Sequence, residues 1–297
     1  MNPDVAARAH GAEKVAPPIP GTDGEEERAL QGLRAEIIGH GRVPSAPTVL
    51  FEILRLLEDD ESDLHRLFAT IGRDPGLTGR VLRTANGTFF GQSRTVTTVQ
   101  HAVTVLGVAM VRGLAVSAAV FQTVGHGLPA SEVDAVWRHS LATGVAARLL
   151  AARTRLADRD EAFTAGLLHD AGRLVLWRRF PEFYRTPTDD TPAEVAERAT
   201  LGVDHATAGG WLFDAWKLPQ ALTEAVAQHH ASAPEGGLPT LVAAANLVVH
   251  HPDGAILLAE PTDAHGVTAH AVATTCGLNS DIWADVAAAT TGGDPRA

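Results

Sequence analysis

A histidine followed at once by an aspartate, His169-Asp170, sits behind the apolar run Ala165 to Leu168 and ahead of Gly172. An imidazole and a carboxylate side by side can serve one hard or borderline divalent ion, the first as a neutral nitrogen donor and the second as an anionic oxygen donor. The pair alone also has a plainer reading. A helix C-terminus favours His through its dipole, and Gly172 would then stand just past the helix end. The chain supplies more histidines in helical contexts on either side: His139 upstream, then His205 and the doublet His229-His230 downstream. Each has a modest explanation of its own. His139, near Trp137, could be a half-buried helix residue, His205 follows a capping Asp204, and His229-His230 suits a helix C-terminus. Together, in the order His, His-Asp, His, His-His, they argue for one shared site.

Such a site must be held by helices, because helix spacing runs through the chain. Leu30, Leu33 and Ile37 share a face between Glu25 and Ile38, and Val49, Leu50, Ile53, Leu54 and Leu57 do so from Thr48 to Glu58. Ser62 can cap the next stripe, Leu64, Leu67, Phe68 and Ile71. Asp74-Pro75 is a cap with Pro at the first helical position, opening a helix to about Asn86. Thr97-x-x-Gln100 reads as a capping box for a helix ended by Gly107. Val108 to about Phe121 is apolar on most sides and should be central. Gly125 to Pro129 breaks the pattern. Beyond it come a long helix from Ser131 to about Arg153, one from Glu161 to His169 capped by Asp160, and a capping box at Thr191-Pro192-Ala-Glu194 with Pro192 opening the helix. Helices over His205 to Trp216, from Pro219 to the His229-His230 doublet, and over Leu238 to His250 follow. No convincing strand is visible, so the expected fold is all-α, a helical bundle. Residues 1–24 read as a flexible tail, and 251–297 as an Ala-rich extension closed by a helix over Ser280 to Ala289.

Composition limits the functions available. The 297 residues suggest about two domains or lobes. Apolar residues make up 45%, so the bulk is globular, but only 5% are aromatic, so Ala, Leu and Val must fill the core. A formal charge of -11 argues against general binding to nucleic acid or an anionic membrane. Cys276 is the only cysteine, which excludes an intrachain disulfide and fits a reducing cytoplasm. The N-terminal stretch lacks the apolar segment of a signal peptide, and Gly113 to Val124 is too short to span a bilayer. A cytoplasmic protein is expected.

Several separated motifs carry a family resemblance. Val43-Pro-Ser-Ala-Pro47, Asp74-Pro-Gly-Leu-Thr78, Leu82-Arg-Thr-Ala-Asn86 with Phe90-Gly91, and Ala102 to Gly107 resemble the first half of an HDOD domain. Gly166 to Arg173, Gly202-Val-Asp-His205, and Leu218-Pro219 with His229-His230 resemble its second half. HDOD domains are bacterial signalling modules related to the HD phosphohydrolases. The resemblance implies an N-terminal helical lobe over residues 25–127 packed on an HD-type helical lobe over 128–250. HD phosphohydrolases bind one or two metals, which activate a water against a phosphate ester. By position, His139 is similar to the first His, His169 and Asp170 to the signature pair with Asp170 bridging, and His205, His229 and His230 to the second-metal ligands. The final Asp of the superfamily pattern falls at Asn246, a neutral donor. Arg173 stands where catalytic members carry Lys, and the Gly-Tyr-Pro signature of the cyclic-di-GMP-cleaving branch is missing.

Two function classes follow. One is a non-catalytic regulatory module that works through protein–protein contacts and keeps a partly degenerate metal site. The other is a metal-dependent phosphohydrolase acting on a nucleotide or cyclic dinucleotide, in which Asp170 and Arg173 would serve the chemistry. The resemblance leaves room for one divalent ion (Mn, Fe, Mg or Zn) or for none. Signalling proteins are the expected partners, with a nucleotide ligand and a homodimer both open.

Overall fold

The computed structural model describes residues 23–39, 43–56, 64–87, 95–185 and 191–250. Fourteen helices and no strand occur among them. The chain is all-α, as the periodicity requires. The readings of residues 1–22, of Leu57, Glu58 and Ser62, of Phe90-Gly91 and of everything past His250 lie outside the described residues.

Helix α6 (Val108–Val124) organises the rest, because Leu114, Val116, Val120 and Phe121 point in different directions and all are buried. It packs against α2 (Thr48–Arg55), α4 (Pro75–Ala85) and α5 (Val99–Leu106), which precede it in the chain. It packs as well against α8 (Arg159–Leu168) and α9 (Ala171–Arg179), which follow it. Around α8 and α9 pack α7 (Ala130–Thr154), α12 (His205–Ala215), α13 (Gln220–Ala227) and α14 (Gly237–His250). A continuous apolar cluster runs from Ile37 to Val248. Phe121, Phe163 and Phe213 are its largest closed side chains. Each contributes about 1.5–3 kcal/mol by leaving water.

Caps and clamps follow local chemistry. Asp74 caps α4 by accepting from the Gly76 and Leu77 amides at 2.8 and 3.1 Å. Asn86 ends α4 and ties it to the extended segment before α5. Its amide donates to the Leu82 and Val96 carbonyls, each at 2.8 Å, and its oxygen accepts from the Val96 amide at 2.7 Å.

Three expected caps are displaced. Thr98, not Thr97, caps α5, its hydroxyl accepting from the His101 amide. The reason is Val96, which must turn inward and is 2% exposed. Asp158, not Asp160, caps α8, accepting from the Asp160 and Glu161 amides, while Asp160 pairs with Arg148 at 3.0 Å. At α11 (Ala193–Leu201), Pro192 is the residue before the first helical turn rather than part of it. No described helix is long and apolar enough to cross a membrane.

Candidate metal centre

Two close helix crossings bring the chemistry together. Gly166 of α8 lies on Gly144 of α7, so close that a Cβ on Gly166 would meet the Gly144 Cα at 2.7 Å. Gly172 of α9 lies on α12, where a Cβ would meet the His205 carbonyl oxygen at 2.0 Å. Gly172 is therefore inside α9 as a packing residue, and the reading that put it past a helix end is overturned. The first crossing sets His139 of α7 against His169, which ends α8. The second sets Asp170, at the start of α9, against His205, which opens α12.

The Asp170 carboxylate lies between two groups of imidazoles. Its Oδ1 is 3.2 Å from His205 Nε2, 3.6 Å from His169 Nε2 and 3.8 Å from His229 Nε2. Its Oδ2 is 3.7 Å from His139 Nε2 and 3.5 Å from Arg173 Nη1. On one side His205 Nε2 lies 3.0 Å from His230 Nε2 and 3.3 Å from His229 Nε2. On the other, His139 Nε2 lies 3.2 Å from His169 Nε2 and 3.0 Å from Asn246 Oδ1. The donors of His205, His229 and His230 fall within 4.8 Å of one another, as do those of His139, His169 and Asp170.

Three of the imidazoles are fixed from behind. His169 Nδ1 donates to the Gly166 carbonyl at 2.8 Å, His229 Nδ1 to the Val226 carbonyl at 2.7 Å, and His205 Nδ1 to Glu197 Oε2 at 2.6 Å. With each Nδ1 proton so engaged, each Nε2 is left to face Asp170. This is how metal-binding imidazoles are oriented. Donors around an ion bonded at about 2.0–2.1 Å stand roughly 3.0–3.4 Å apart, and His205 Nε2 keeps that spacing to Asp170 Oδ1, His230 Nε2 and His229 Nε2. At Asn246 the side-chain oxygen can only accept, so His139 Nε2 is the donor in that contact.

Burial and charge sharpen the picture. Asp170, His169, His205 and His229 are closed to solvent, whereas the side chains of His139, His230 and Arg173 are 18%, 13% and 29% exposed and form the rim. Burial works against the Asp170 carboxylate, yet His169, Arg173 and His205 outweigh it and hold its pKa well below the ordinary range. Burial lowers the pKa of His169 well below its usual value, and that of His229 to about 4. Burial also lowers that of His230, with His229 and His205 adding to the effect. His205 goes the other way. Burial opposes its charge, but Glu197 and Asp170 raise its pKa to about 10. The centre is thus a buried carboxylate beside a charged His205, with the neutral imidazoles of His169, His229 and His230 around them.

Sequence reasoning missed two residues here. Glu197 of α11 is fully buried behind His205, and Glu194 Oε1 is 3.9 Å from His230 Nδ1, so Asp170 is not the only carboxylate at the centre. His250, at the end of α14, is exposed, and its ring lies 4.7 Å from that of His139. One signal was available for the pair of glutamates: Glu194, Glu197 and Leu201 share one face of α11, the face that turns inward.

The HDOD domain model matches residues 43–232. An uncharacterised protein of Treponema pallidum (strain Nichols) is 28% identical over 226 residues, 71% of this chain and 43% of that protein. The chain therefore spans less than half the length of that relative. Similar solved structures include an HDOD domain protein of unknown function from Geobacter sulfurreducens, with a TM-score of 0.64, 24% identity and 90% of each chain covered. A candidate phosphohydrolase from Shewanella amazonensis has a TM-score of 0.64 and 24% identity over 88% of this chain and 94% of that one. A candidate signal-transduction protein from Marinobacter aquaeolei has a TM-score of 0.67 and 22% identity over 91% of this chain and 64% of that one. At these identities the likeness is one of fold.

Proposed function

The chain belongs to the HDOD family, and from that premise we propose that it is a regulatory signalling module with one retained divalent-metal site and no phosphohydrolase turnover. The observation that carries this reading is the contrast between the two sides of Asp170. On the His205 side, two imidazoles are anchored through Nδ1 and a third joins them at 3.0 Å. On the His139 side, an amide stands where the superfamily pattern has a carboxylate, and it accepts a hydrogen bond from His139.

His205, His229, His230 and Asp170 would hold one ion, three neutral nitrogens and an anionic oxygen being enough for a four-coordinate site. Bound there, a divalent ion would supply Lewis acidity and charge. The protein's own side chains orient the donors and close them from water. A second ion would have only His139, His169, the Asn246 amide and a share of Asp170. Phosphate-ester hydrolysis in two-metal centres relies on both ions clamping the attacking and leaving oxygens. One ion leaves that clamp incomplete. The module then acts by presenting its helical surfaces to partner proteins, in the cytoplasm.

The hydrolase reading keeps one observation in its favour, the His139, His169 and Asp170 donors gathered within 4.8 Å. The two readings separate in a phosphodiesterase assay. Protein loaded with Mn²⁺ should leave bis-p-nitrophenyl phosphate and a cyclic dinucleotide uncleaved. Turnover that is lost in Asp170→Ala would overturn the regulatory reading.

A further inference from the structure

Behind the proposed ion site lies a chain of buried polar contacts that reaches away from it. Glu197 is completely closed to solvent, yet each of its oxygens is engaged. Oε2 accepts from the His205 backbone amide at 2.8 Å and from His205 Nδ1 at 2.6 Å. Oε1 accepts from the Tyr184 hydroxyl at 2.6 Å. Tyr184 belongs to α10 (Pro181–Arg185) and is itself fixed, stacked on Trp177 of α9 with ring centroids 5.1 Å apart and planes 9° off parallel. A buried carboxylate is costly unless its lone pairs are satisfied and its charge is answered.

Helix capping explains only one of the Glu197 contacts, that to the His205 amide in the first turn of α12. Asp204 already caps α12 by accepting from the Thr207 amide at 2.8 Å. The contact left over is the one to the imidazole ring. We infer that Glu197, held in place by Tyr184, is the positioning residue of the ion site: it fixes the ring of His205 with Nε2 inward and supplies negative charge to the bound cation. This rests on the reading that the site binds a divalent ion.

The charge ledger supports the assignment. Asp170, Glu197 and Glu194 bring three negative charges to this side of the centre, and Arg173, 3.5 Å from Asp170, brings one positive. With His205 neutral, as it must be to bind an ion, the balance is about two negative charges, which one divalent ion neutralises and two would overfill. A carboxylate behind a ligating imidazole also makes the facing nitrogen a stronger donor.

The test titrates Mn²⁺ alone into the full chain and its variants by calorimetry. Glu197→Gln keeps the shape and a hydrogen-bond acceptor but removes the charge. It should weaken Mn²⁺ binding about 10–100-fold, the usual loss when such a partner is changed. Tyr184→Phe, which only frees Oε1, should weaken it by a smaller factor. A purely structural Glu197 would lower the melting temperature of the metal-free protein and leave the affinity of the folded fraction unchanged, and that result overturns the inference. Should Glu197→Gln fail to fold, Tyr184→Phe decides: lost affinity supports the inference and unchanged affinity overturns it. Nitrogen-15 spectra of the histidine rings, recorded without metal, separate this from the parent reading. If the wild type binds no Mn²⁺, the ion site falls. The positioning of His205 then stands if Tyr184→Phe perturbs its Nδ1–H signal, and falls if that signal is unmoved.

Discussion

Metal binding at neutral pH should release about one proton per ion. In the metal-free protein the pKa of His205 is raised to about 10, so its ring carries a proton on both nitrogens at pH 7. That of His229 is pulled down to about 4, and those of His169 and His230 are also lowered, so these rings are already neutral. Asp170 is already ionised. Only the His205 Nε2 proton stands where an ion must bind. The apparent affinity should therefore rise about tenfold per pH unit through neutrality and level off as the pH nears 10. The same shift has a consequence for stability. A folded-state pKa above the ordinary value of about 6.5 gives a stabilisation fully present below that pH. It is lost as the pH rises through about 10. Calorimetric titration of Mn²⁺ in buffers of low and high ionisation enthalpy reads the proton count from the slope of observed heat against buffer heat. A slope near one is expected. A slope near zero would mean that His205 is neutral before the metal arrives. A slope of about three or more would mean that the donor imidazoles are all charged, and that burial does not control the site.

Two substitutions test the scaffold. Gly172→Ala drives a methyl group into the His205 carbonyl, 2.0 Å from the built Cβ position, so it should destabilise the fold by about 1–3 kcal/mol. Because the displaced backbone carries His205, Mn²⁺ affinity should fall with it; thermal melts and the same titration check both, and an unchanged affinity would show that the α9–α12 crossing does not set the site. Asn86→Ala removes two hydrogen bonds that tie the end of α4 to Val96 and one to the Leu82 carbonyl inside α4. It should cost about 1–3 kcal/mol in urea unfolding without touching Mn²⁺ affinity.

The parts of this molecule that could be read from its sequence are those whose signal is local. Helix periodicity marked α6 as central because its apolar residues point every way. Asp74-Pro75 marked the start of α4 because a cap and a proline agree there. The order of His139, His169-Asp170, His205 and His229-His230 was enough to suggest that these side chains meet, since few other arrangements need so many imidazoles on separate helices. Where two adjacent residues could do the same job, the choice was made by distant contacts. Thr98 prevails over Thr97 because Val96 must face the core, and Asp158 over Asp160 because Arg148 of α7 engages Asp160. Glu194 and Glu197 were harder to read, for a deeper reason. Glutamates on a short helix look solvated, and only the placement of α11 against the start of α12 turns them inward.

The central claim is one retained ion site beside a vestigial one, and metal stoichiometry tests it most directly. Wild type and Asn246→Asp should be loaded with Mn²⁺, dialysed identically and analysed for bound metal per chain. One ion is predicted in the wild type, held by Asp170, His205, His229 and His230, and a second ion should be gained on restoring the carboxylate at position 246. Two tightly bound ions in the wild type would contradict the account.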